Sequence, residues 1–204
     1  MEKTKSIIVT SKGEGFDEAL LLTENLGMEK GLTHKEVLHL RLLAEEVFGV
    51  MRSIAGDIQA EYWIEHEGKD FSIHVKSDVL LTQEMRKKFL SVSSEGENAS
   101  AKGFMGKLKD MIGVMLLPKE SGASMLTLGL MSLGDPGGLK YDSETYNWSM
   151  SQYKSGIENG RNEDESAADA WDELEKSIVA NIADEIKIHI DGTVVEITID
   201  KKFK

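Results

Sequence analysis

Apolar positions along this chain repeat with two periods, one helical and one extended. Residues 6–10 are rich in β-branched side chains and are bounded by Gly13 and Gly15, which predicts a short strand. Phe16, Ala19, Leu20 and Leu26 then share one helical face, predicting a helix over 16–26 with Gly27 at the left-handed position after it. Thr33 and Glu36 have the spacing of a capping box. Behind them Val37, Leu40, Ala44, Val47, Met51 and Ile54 recur at intervals of three and four, the stripe of a long helix that Gly56 can end.

The period then changes to two. Ala60, Tyr62 and Ile64 alternate on one strand and Phe71, Ile73 and Val75 on the next, with residues 67–70 as the turn. The middle reads as a helix over 83–90, a loop over 91–100, and a helix marked by Phe104, Leu108, Met111, Ile112 and Met115. A strand over 125–133, a turn over 134–138, a strand over 146–153 and an acidic loop over 155–165 follow. Trp171, Leu174, Ile178 and Ile182 predict a helix over 166–183. Ile186, Ile188 and Ile190, the Asp191-Gly192 turn, and Val195, Ile197 and Ile199 predict a closing hairpin. No internal repeat or low-complexity segment is visible in the sequence. The order predicts an α+β fold, a two-layer sandwich with helices on one face of a mixed, mostly antiparallel sheet.

Composition narrows the classes. At 204 residues the chain can bury a core of ordinary domain size. Its 36 acidic and 24 basic residues give a net charge of −12, which argues against a general nucleic-acid partner and against docking on anionic membranes. There are no cysteines, so neither disulfides nor thiolate metal sites form. With no long apolar stretch, a cytoplasmic protein is expected.

Chemistry-bearing motifs are sparse. The five histidines have no metal-ligand spacing and read as polar-face residues, so no metal site is expected. There is no Gly-x-Ser-x-Gly elbow and no Walker loop. Met105, Met111, Met115, Met125, Met131 and Met150 crowd the middle of the chain; they read as core filling, with an adaptable partner surface as the alternative. The acidic run at 163–175 reads as a solvated helix start.

The order of elements, with the segment from Arg41 to Val50, resembles the histidine-kinase-like (GHKL) ATPase fold, nearest to the anti-sigma-factor serine kinases. In that family a long helix carries a catalytic Glu and, four residues on, an Asn that ligates magnesium. Glu46 stands at the Glu position and Val50 at the Asn position. The hairpin ending Ile73-His74-Val75-Lys76 resembles the approach to the adenine-binding Asp; Ser77 stands there, with Asp78 one residue late. Gly103 and Gly106 resemble the glycines that open a phosphate-facing helix, and residues 191–199 resemble the family's last hairpin. The resemblance implies a single domain over 1–204, with 79–165 as an enlarged lid or insertion. It implies Glu46 as base, a nucleotide site near Val50, Ser77, Asp78, Gly103 and Gly106, ATP with Mg as cofactors, a protein partner, and self-association into a homodimer. Because Val50 offers no oxygen to a hard cation, the expectation is a regulatory protein acting through protein contact with little or no ATP turnover. An active serine kinase or ATPase, and an unrelated α+β binding module, are the alternatives.

Overall fold

The computed structural model describes residues 1–53, 57–79, 103–116, 145–160 and 165–204. Strands β1 (Glu2–Lys3) and β2 (Ile7–Thr10) lead into helices α1 (Phe16–Glu29) and α2 (His34–Ser53). The hairpin β3 (Gln59–Glu67) and β4 (Asp70–Asp78) follows, then α3 (Phe104–Met115), β5 (Thr145–Ser149) and α4 (Met150–Gly160). Helices α5 (Glu165–Lys176) and α6 (Ile178–Ile182) precede the hairpin β6 (Glu185–Asp191) and β7 (Val194–Lys202). The seven strands form one open sheet in the order β1-β3-β4-β7-β6-β5, with β2 beside β1 on the outer edge of β3. Every pairing among the described residues is antiparallel, so the expected α+β architecture is present and the strand pairs described are not mixed.

One face of this sheet is apolar and the other polar. Tyr62, Ile64, Ile73, Ile186, Ile188 and Ile199 are buried in a single core with the helices. Their neighbours one residue along point to the opposite face, as the pleat requires. Phe16 and Phe48 stack with ring centroids 4.3 Å apart, and Tyr62 adds a tilted ring 5.2 Å from Phe48, tying α1 and α2 to β3. The Thr23 hydroxyl donates to the Ala19 carbonyl at 2.7 Å, so the Tyr62 hydroxyl donates to Thr23 at 2.6 Å, and a buried phenol is satisfied.

The capping box forms as expected: Thr33 N–H donates to the Glu36 carboxylate at 2.7 Å and Glu36 N–H to the Thr33 hydroxyl at 3.4 Å. The Thr33 N–H, and the Thr33 hydroxyl that also donates to the carboxylate at 2.7 Å, hold the Glu36 carboxyl below its ordinary range. Val37, Leu40, Ala44, Val47 and Met51 are buried; Ile54 and Gly56 lie outside the described residues.

Four local expectations are corrected. Helix α1 runs on to Glu29, with Gly27 inside it: a Cβ there would meet Leu32 and Val37 at 3.3 Å, so the glycine lets α2 approach. The strand over 146–153 stops at Ser149, whose hydroxyl accepts the Gln152 N–H at 3.3 Å and starts α4. That helix replaces the loop expected from 155, as far as Gly160. The helix over 166–183 breaks at Ser177, which accepts the Ala180 N–H and caps α6. The break changes the phase, so Val179 and Ala180 are buried and Ile178 is exposed. The helix at 83–90, the loop at 91–100, the strand at 125–133 and the turn at 134–138 lie outside the described residues.

A two-fold order emerges that sequence comparison within the chain does not show. β2-α1-α2-β3-β4 and β5-α4-α5-α6-β6-β7 are both a strand, helices and a hairpin, and they meet where β4 pairs β7. Ile73 pairs Ile199 and Val75 pairs Ile197, an exchange that leaves His74↔Thr198 at its centre. Under it Tyr62, Ile64 and Phe71 take the places of Ile186, Ile188 and Val195. The two hairpin glycines, Gly68 and Gly192, correspond as well, with φ of 61° and 59°.

Replacing Thr23 by Val leaves the buried Tyr62 hydroxyl without its acceptor and is expected to cost about 1–3 kcal/mol. Adding Tyr62→Phe to that variant restores part of the loss. Urea denaturation of the single and double variants measures both.

Candidate functional site

The residues singled out by the GHKL resemblance lie on α2, at the end of β4 and at the start of α3. Glu46 is half-buried on α2. Val50, one turn on, is buried in the core, so a hydrocarbon side chain stands where a magnesium ligand is implied. The Ser77 hydroxyl donates to the Gln59 carbonyl at 2.7 Å and fastens the end of the first hairpin. Asp78 is exposed at the end of β4, paired with Val194. Gly103 (φ 85°) precedes α3 and accepts the Gly106 N–H at 3.1 Å, ordinary geometry for the start of a helix. A committed hydroxyl and a buried valine are a poor fit to Mg-ATP. Within 79–165, the region expected as lid or insertion, β5 joins the sheet and Phe104, Leu108, Trp148 and Met150 enter the core.

Polar chemistry collects instead on the face of the sheet away from α2. His74 Nδ1 lies 3.2 Å from both Glu196 Oε1 and Thr198 Oγ1. Its Nε2 is buried without a hydrogen-bond partner among the described residues. The Trp63 indole stacks on the His74 ring, centroids 4.8 Å apart and planes 3° from parallel, and Lys3 Nζ sits 4.1 Å above the indole. Asp200 accepts from the Ser72 hydroxyl and from Lys187 Nζ, each at 2.7 Å. His66 departs from the polar-face expectation: it sits on the core face beside Phe71, 6% exposed, because its even position shares the parity of Tyr62 and Ile64.

Beside this network a cleft of about 530 Å³ opens over β5, β6 and β7. Asn147, Gln152, Glu185, Lys187, His189 and Glu196 are among the residues that line it. The strand-to-helix switch at Ser149 makes one wall: Ser151 N–H donates to Glu185 Oε1 at 3.1 Å where α4 leaves the sheet. His189 Nδ1 is 2.8 Å from Asn147 Oδ1 on the adjacent strand. The polar residues that alternate with the buried ones, Lys187 and His189 on β6 and Glu196 and Thr198 on β7, are the sequence signal for this face. The cleft itself depends on α4 beginning at Met150, which the apolar pattern of 146–153 conceals.

No group of acidic residues or histidines among the described residues is arranged to hold a metal ion. No helix among them is long and apolar enough to cross a membrane. No protein-family model, curated protein or solved structure matches the chain.

Tyr153, on α4 against Phe104 and Trp148, has its phenol pushed up to about 12 by burial first and by the Glu173 charge second. Burial raises Tyr62 further in the same direction. Both phenols stay neutral in the fold while an unfolded tyrosine ionises near pH 10, so the unfolded state binds fewer protons above that pH. Stability is therefore expected to fall as pH rises from about 10 toward 12. Tyr153→Phe should flatten that fall in a Tm-against-pH series while leaving Tm near pH 7 less affected.

Proposed function

We propose that this chain is a regulatory protein that acts by contact with a protein partner and does not turn over ATP, on a scaffold of the GHKL kind. The observation that carries the reading is the placement of polar groups. The long helix that would hold the catalytic machinery puts Val50 into the core. A cleft on the other side of the sheet is lined by accessible hydrogen-bonding groups. The strand-helix-long helix-hairpin opening and the helix-hairpin close support the GHKL part of the reading. Fold alone does not assign an activity, so the function rests on the side chains.

The test is calorimetry of the purified chain with ATP and ADP, with and without Mg²⁺. No heat of binding is expected at millimolar nucleotide. Micromolar binding that Glu46→Gln abolishes would replace this reading with an ATP-dependent kinase or ATPase.

A further inference from the structure

We propose that the cleft over β5, β6 and β7 receives a lysine or arginine side chain from an extended segment of a partner protein laid along the β5 edge. This rests on the reading that the chain works by partner contact, and three observations carry it further.

The first is the difference between the two halves. The exchange about His74↔Thr198 puts Trp63 in the place of Lys187, Glu61 in the place of Glu185 and Glu65 in the place of His189. In the first half the indole of Trp63, 7% exposed, lies flat on His74 and fills that place. In the second half Lys187, its side chain 55% exposed, is drawn aside to Asp200 and the equivalent place stays open.

The second is the hydrogen-bond account. Glu185 spends Oε1 on the backbone N–H groups of Ser151 and Ile186. His189 turns Nδ1 to the Asn147 carbonyl oxygen, where only an N–H can donate, so in the neutral imidazole its Nε2 is an acceptor. Among the described residues, Glu185 Oε2 and His189 Nε2 are therefore acceptors without donors. The nearby positive charge of Lys187 is already paired with Asp200. A cation carrying several N–H groups satisfies such a set, and the net charge of −12 draws a basic segment toward it.

The third is the edge. β5 pairs only with β6 among the described residues and is the last strand of the sheet. An added strand finds backbone donors and acceptors there, and alternate side chains of that strand rise on the side of the cleft.

The probe is a terminally blocked Arg-Val-Arg-Val-Arg-Val peptide titrated into the ¹⁵N-labelled full chain, with Glu-Val-Glu-Val-Glu-Val as the control. Saturable amide shifts confined to 145–152 and 185–198, weakening with salt, are expected. Glu185→Gln, whose amide oxygen still accepts from Ser151, should keep the wild-type Tm and bind the basic peptide about tenfold more weakly. Equal binding of the acidic peptide, shifts centred on α1 and α2, no binding at millimolar peptide, or unchanged affinity in a folded Glu185→Gln would each overturn the assignment. Peptide failure with nucleotide still unbound removes the cleft alone; peptide failure together with ATP binding removes the regulatory reading as well.

Discussion

Everything in this fold hangs on the pairing of β4 with β7. It runs from Asp70↔Lys202 to Asp78↔Val194 and is the one ladder that joins the two hairpins. Each hairpin alone is a marginal two-stranded piece with one apolar face. Joined, they present Ile73, Val75, Ile197 and Ile199 as a continuous floor for the helices. A slip of β7 by one residue against β4 would turn Glu196 and Thr198 toward the core and Ile197 and Ile199 away from it, so burial fixes the register.

The same ladder organises the polar face. It brings His74 against Glu196 and Thr198, and Ser72 against Asp200, from strands more than a hundred residues apart in sequence. The two-fold arrangement then makes a comparison within one molecule. Equivalent positions hold Trp63 in one half and Lys187 in the other, and a single aromatic ring separates a closed surface from a cleft. Since both halves share the alternation of buried residues, the difference lies in the polar set, where packing exerts little restraint on side-chain choice.

Strong local signals made much of the fold legible. Thr33 and Glu36 marked a helix start because both partners of the cap lie within one turn. The hairpins at 59–78 and 185–202 were legible because period-two burial and a turn glycine coincide. What was hidden depended on competition or on distance. Ser149 and Ser177 each divert the chain by capping a helix, and an apolar period that continues across them gives no notice of it. Gly27 looked like a helix end but is a contact point with Leu32 and Val37, which only the packing of α1 on α2 reveals. The cleft was the least legible feature. Its walls come from three strands and a helix start, and the two-fold order behind it survives in burial and register with few shared residues.

The position of β7 also has a consequence for how the molecule is made. The strand synthesised last among these elements lies between β4 and β6 in the interior of the sheet. On the ribosome, β3 and β4 emerge early and can close their hairpin, yet β4 keeps a bare inner edge with Phe71, Ile73 and Val75 beside it until residues 194–202 are available. Vectorial synthesis therefore leaves an aggregation-prone half-sheet waiting until β7 has emerged. A premature stop anywhere before Val194 would release a chain without the strand that joins its two halves.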